Sequence, residues 1–273
     1  RGVRVWWYDR DPTFAEGIAE DAGSALERVE RLVGAPRETS VELVAYQSQD
    51  DLRPALVARG STYEARLATL GARVAPDILV FDAGTRPQDL AEVIAHELSH
   101  LVLHQRFGHE YLDAAMWLDE GLAMYAEGPL SRDEQRLFDD AVRDDALISV
   151  RSLTTFPGDA ELVPLAYAES RELVAFVIDL QGEAAFVRLI DVIASGDATT
   201  DRALEQVYGL DQLSLYQAFR AHLGLAPAAT PAPGTATPRR RDRVDRTPVG
   251  PCAAAALLLP VAATVTVRSR LRA

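Results

Sequence analysis

The chain has five histidines in 273 residues, and two of them, His96 and His100, frame a glutamate in the stretch VIAHELSHLVLH (93–104). Nothing in that stretch breaks a helix, and Ile94, Leu98, Leu101 and Val102 recur at helical spacing, so it reads as a half-buried helix. On a helix, residues four apart point the same way, which lets the two imidazoles converge on one metal ion. Glu97, one position on, is turned away from the pair and can reach water at such an ion without being a ligand. The chemistry this spacing serves is hydrolysis by metal-activated water with a carboxylate as base, the H-E-x-x-H arrangement of zinc hydrolases. The competing reading is a polar helix face with two solvated histidines.

A third ligand is available downstream. DAAMWLDEGLAMYAEG (113–128) reads as a second helix, with Asp113 as N-cap and Gly128-Pro129 as its stop. The short connection QRFGHEY lets the two helices fold back antiparallel, so that Glu120, twenty residues after His100, faces the histidine pair. A His, His, Glu set leaves the fourth zinc position open, as a catalytic site requires. Asp119 and Glu120 are adjacent carboxylates among Trp117, Leu118, Leu122 and Met124, an awkward placement unless one is paired or metal-bound. Gly121 costs the helix about 1 kcal/mol relative to alanine and is expected to allow close approach by the first helix. His104 lies about 6 Å further along the axis than His100, too far to share the ion, and is expected to have a structural or substrate-side role. His109, in the interhelix turn, and His222, near the end of the domain, carry no chemistry.

AHELSH…WLDEGLAMYAEG resembles the gluzincin metallopeptidases, in particular the compact bacterial peptidase MA-like domains. The resemblance runs from about Val3 to about Leu225 and includes VRVWWYDRDPTFAEGIAEDAGSALERVERLVG and LAYAESRELVAFVIDLQGEAAFVRLI. It implies His96, His100 and Glu120 as ligands of one Zn2+ per chain, Glu97 as general base, and a peptide or protein substrate. It also implies a tyrosine hydroxyl opposite the metal as oxyanion donor. Tyr167, which opens an amphipathic helix after Pro164, is the candidate for that role, and Tyr125 competes with it. Some gluzincins carry an aspartate four residues after the glutamate ligand to orient a histidine. Here that position is Met124, so the support falls to Asp119 and Glu127. The G-x-M-x-N-type loop of larger aminopeptidases is not visible.

The elements that must hold this site alternate in the amino half: a strand at 3–8, a helix over 12–33, a strand at 40–48, a helical stretch from near Asp50, and a strand at 77–82 leading into the histidine helix. From Pro87 to about Leu223 the pattern is helical. The fold class is α+β: a small N-terminal mixed sheet with helices and a mainly helical C-terminal lobe. That order places the cleft between the two, and by resemblance the fold is zincin-like, with the active-site helix between them. An extended substrate is expected along 77–82 as an edge strand.

Residues 1–226 form the expected catalytic domain. LAPAATPAPGTATPRRRDRVDRTP has almost nothing to bury, so 227–248 reads as a linker. The nineteen uncharged residues 249–267 are just long enough for a membrane span, followed by a short basic tail, 268–273. The net charge is −13, from 28 basic and 41 acidic side chains. Eight arginines and two aspartates lie beyond Ala228, leaving 20 basic and 39 acidic groups, −19, on the domain. Such an acidic domain argues against nucleic acid as partner. The arginine-rich segment 239–246 is suited to lipid headgroups. The lone Cys252 rules out a disulfide framework. No signal peptide is visible before the first strand. With a C-terminal anchor, removal of an upstream signal would leave the domain extracytoplasmic. Two rivals to a peptidase are a catalytically inactive, membrane-tethered binding module that keeps the fold, and a helical interaction domain with no metal.

Overall fold

The computed structural model describes residues 2–7, 9–37, 39–56, 71–75, 77–108, 114–228 and 263–267. The sheet begins with β1 (Val3–Trp7) and β2 (Val41–Tyr46), which bury every second residue: Val3, Val5 and Trp7, then Val41, Leu43 and Ala45. Alternate side chains of a strand point to one face, and this face meets the helices. Between them runs α1 (Pro12–Val33). The Asp11 carboxylate accepts the Thr13 N–H at 2.9 Å and Pro12 occupies the first turn, so the start is capped. Gly34, at φ 76°, closes the helix in the left-handed region.

The strand order is β3-β4-β2-β1-β5, with β3 at Gly71–Ala75, β4 at Ile78–Asp82 and β5 at Ala263–Val267. β1, β2 and β4 run parallel, while β3 is antiparallel to β4 and β5 to β1. The sheet is therefore mixed and the class α+β, as the sequence pattern implies. The expectation of 77–82 as an edge strand does not hold. β4 is hydrogen-bonded on both sides, by β2 and by β3, and has no spare ladder for a peptide. The strand that covers it is GARVA (71–75), whose glycine and alanines have little strand propensity. β4 is also covered on both faces: Leu79 and Phe81 join the main core, while Val80 packs with Leu52 of α2 (Gln49–Leu56). That double burial explains why ILVFD is a continuous apolar run and not an alternating one.

The helical part comprises α3 (Pro87–Phe107), α4 (Met116–Glu127), α5 (Arg132–Arg143), α6 (Val163–Gln181), α7 (Glu183–Ala194), α8 (Thr200–Tyr208) and α9 (Gln212–His222). α3 packs between α1 and α4, and α4 lies closely along α6. Trp117, Leu118 and Leu122 of α4 are completely buried in this packing. Asp113, the expected N-cap, lies outside the described residues, and α4 starts at Met116 with Ala115 in the capping position. After α9 the chain folds back, held by Ala228 N–H to Gln217 Oε1 at 2.8 Å and by Arg220 to the Ala226 carbonyl.

The C-terminal expectations fare differently. Residues 229–248 of the linker and the tail 268–273 lie outside the described residues. Of the stretch 249–267, the described part, Ala263–Val267, is a strand beside β1 and does not continue a membrane helix. Its sequence, ATVTV, is rich in β-branched residues, which favour a pleated sheet over a helix. Among the described residues no helix is long and apolar enough to cross a membrane.

Candidate metal centre

α3 buries Leu90, Ile94, Leu98, Leu101 and Val102 and turns His96, Glu97, His100 and His104 toward its partly exposed side. α4 then brings Glu120 over the histidines. His96 Nε2 and His100 Nε2 are 3.1 Å apart, and Glu120 Oε2 lies 3.5 Å from the first and 3.4 Å from the second. In a tetrahedral site with bonds near 2.05 Å, two ligand atoms are separated by about 3.3 Å. The observed triangle has that size, so the three residues fit one metal ion as they stand. Glu120 Oε2 is buried with no hydrogen-bond donor, a costly state that a cation in the triangle would relieve.

The remaining imidazole nitrogens are held by carboxylates of α4. His96 Nδ1 is 2.5 Å from Glu127 Oε1, and His100 Nδ1 is 2.7 Å from Asp119 Oδ1. A carboxylate accepts, so each Nδ1 must donate its proton, and in the neutral ring each Nε2 then presents a lone pair to the triangle. Asp119 and Glu127, the two carboxylates expected to stand in for Met124, are thus the ones hydrogen-bonded to the histidines. His104 is not in the triangle. Its Nε2 lies 3.3 Å from the same Asp119 oxygen that holds His100.

The electrostatics of these groups favour a cation. Burial by itself depresses His96, but the Glu120 and Glu127 carboxylates more than reverse this and raise it to about 9. His100, likewise buried, is pushed well above its ordinary value by Asp119 and Glu120. Burial pushes Glu120 up, but His100 and His96 outweigh it and bring the carboxyl down to about 2. Asp119, also buried, is held far below the usual carboxylate range by His100 and His104.

Beside the triangle opens a cleft of about 440 Å³ lined by Val93, His96, Glu97, Met124, Glu127, Glu134, Val163, Pro164 and Tyr167. The structure therefore brings Glu97 and Tyr167 to one space. All of these residues come from α3, α4, α5 and α6, so this lining is wholly helical, whereas the element order led to the expectation of a cleft between the helical part and the sheet. Tyr167 leans on Phe156 with ring centroids 5.7 Å apart. Tyr125, its competitor, lies under the Arg171 guanidinium at 5.4 Å and is not in this lining. A larger hollow of about 670 Å³, with Asp191, Arg202 and Glu205 in its lining, contains none of the residues singled out in the sequence. His222 packs on Phe176 at 5.0 Å, remote from the triangle in role, and His109 lies outside the described residues.

Sequence reasoning missed the partner of Gly121 and the burial of Glu169. Gly121 does allow a close approach, but by α6 and not by α3: a Cβ there would lie 2.3 Å from the Ser170 carbonyl oxygen. Glu169 of α6 is fully buried, with both carboxyl oxygens 3.0 Å from the Ile148 N–H. Burial pushes its carboxyl up to about 8 against the effect of that hydrogen bond. A glutamate in an amphipathic helix carries no sign in sequence that its face will be covered.

A small mixed sheet, a helix carrying His96 and His100, and a second helix delivering Glu120 place a candidate metal site in an α+β fold. The chain belongs to the peptidase MA superfamily, whose family model matches residues 21–224. No curated protein matches the chain.

Proposed function

We propose that the protein is a zinc metallopeptidase of the gluzincin type that hydrolyses peptide bonds, with His96, His100 and Glu120 holding the metal. The observation that carries this reading is the triangle of two imidazole nitrogens and one carboxylate oxygen with edges of 3.1–3.5 Å beside a cleft containing Glu97. Membership of a peptidase superfamily supports it. Zinc in that position supplies Lewis acidity, polarising a carbonyl and lowering the pKa of water to about 7.

The chain's own residues do the rest. Asp119 and Glu127 keep the imidazoles in the tautomer and orientation that ligation needs. The Glu97 carboxylate takes the proton of the attacking water and returns it to the departing amine nitrogen. The Tyr167 hydroxyl donates to the oxygen on which negative charge develops. The apolar walls, Val93, Met124, Val163 and Pro164, limit water at the reacting carbon.

The test is the metal content and turnover of the full chain. One zinc per chain, lost in His100→Ala, together with peptide hydrolysis that falls by about 10²–10⁴-fold in Glu97→Gln while zinc is retained, is the expected result. Undiminished hydrolysis in Glu97→Gln would overturn the assignment of the base. Zinc without hydrolysis of any peptide would favour the inactive binding module, and absence of zinc after reloading would overturn the metal centre.

A further inference from the structure

The cleft has two kinds of wall. Val93, Met124, Val163 and Pro164 offer apolar surface, while Glu127 and Glu134 bring carboxylates from α4 and α5. Among the lining residues His96 alone is basic, and its Nδ1 is already turned to Glu127. Three carboxylates line the cleft itself, from Glu97, Glu127 and Glu134, against that one imidazole. The excess reaches beyond the cleft. Partial burial, then the negative charges of Glu127, Asp89 and Glu134, raise the carboxyl of Glu92, one turn before His96, against the pull of Arg86. Arg86 itself is bound to Asp89 at 2.8 Å. Glu134 is partly buried and rigidly placed, because one of its oxygens accepts the Ser131 N–H at 2.8 Å in a capping box.

Resting on the peptidase reading, we propose that this cleft selects peptides carrying a long cationic side chain, arginine or lysine, next to the scissile bond. The two halves of such a side chain match the two walls. Its methylene stem gains apolar contact along Val93, Val163, Pro164 and Met124, and its charged head meets the Glu134 and Glu127 carboxylates. The volume of about 440 Å³ is within the range that takes a side chain of this length with adjoining backbone. An apolar side chain of equal length would gain the stem contacts but leave the carboxylates desolvated without a partner. An acidic side chain would meet like charges in a low-dielectric space and be rejected.

The experiment uses the zinc-loaded full chain and a peptide set identical except at one position, which carries arginine, lysine, methionine or glutamate, with products mapped by mass spectrometry. Cleavage beside arginine and lysine should exceed cleavage beside methionine by about 10-fold or more, the scale of a charge-assisted hydrogen bond, with glutamate slowest. The preference should shrink as ionic strength rises. Glu134→Gln should lower the arginine-to-methionine ratio several-fold while zinc content stays the same, since glutamine also serves in a capping box. Equal cleavage of arginine and methionine peptides, or an unchanged ratio in Glu134→Gln, would overturn the inference. If no peptide is cleaved by the zinc-loaded protein, the peptidase reading fails. Binding of the same peptides to that protein then decides the selectivity: about 10-fold tighter binding of the arginine peptide supports the cleft assignment, and equal binding overturns it.

Discussion

Replacing Gly121 with alanine tests whether the contact between α4 and α6 sets the metal centre. The added Cβ would lie 2.3 Å from the Ser170 carbonyl oxygen and 2.8 Å from both the Ser170 carbonyl carbon and Val174 Cγ2. A carbon and a carbonyl oxygen rest at about 3.3 Å or more, so the two helices must part locally by about 1 Å. Overpacking of this kind costs about 1–3 kcal/mol, and the better helix propensity of alanine offsets about 1 kcal/mol of it. The net loss of stability is then about 1 kcal/mol, a fall of roughly 2–4 °C in Tm for a domain of this size. The effect on metal binding should be far larger in proportion. Glu120 is the neighbouring residue, and metal–ligand bonds tolerate only about 0.2 Å. Zinc affinity, measured by chelator competition, should therefore fall by about 10-fold or more while thermal unfolding changes little. A variant with zinc affinity within twofold of the parent and a raised Tm would refute the claim that this helix contact positions Glu120.

Two further predictions come from the groups around the triangle. Asp119→Asn should weaken zinc binding by about 10–100-fold, because an amide holds the His100 Nδ1–H less well than a carboxylate does. His104→Ala, acting through Asp119, should have a smaller effect of the same sign, and equal affinities across all three proteins would count against both roles. Glu169 supplies a pH dependence. Its carboxyl is raised from 4.5 to about 8 by burial, so its stabilising contribution is complete below about pH 4.5 and is lost as pH rises through about 8. Glu169→Gln keeps an acceptor for the Ile148 N–H without the ionisation. It should therefore raise Tm relative to the parent at pH 9 and make little difference at pH 5. A gain equal at both pH values would show that ionisation of Glu169 is not what costs stability.

What the sequence by itself determined is what depends on local geometry. The i, i+4 spacing of His96 and His100 puts two imidazoles on one helix face wherever that helix lies, and Asp11-Pro12 and Gly34 mark the ends of α1 without reference to the rest of the chain. Alternation in β1 and β2 likewise reveals their buried faces. The tertiary structure decided everything that needs two elements to be placed against each other. The candidates Asp119 and Glu127 could be named from sequence, but the rotation of α4 over α3 decided that Asp119 holds His100 and Glu127 holds His96. Gly121 signals a close approach, yet only packing reveals that the partner is Ser170 on α6. The status of 77–82 as an interior strand depends on a glycine- and alanine-bearing strand whose pattern is too weak to read, and the burial of Glu169 on a face that Ile148 closes. Helix and strand periods are properties of neighbouring residues along the chain. Which face meets which is a property of the whole core, where apolar area and steric fit, summed over many residues, choose the arrangement.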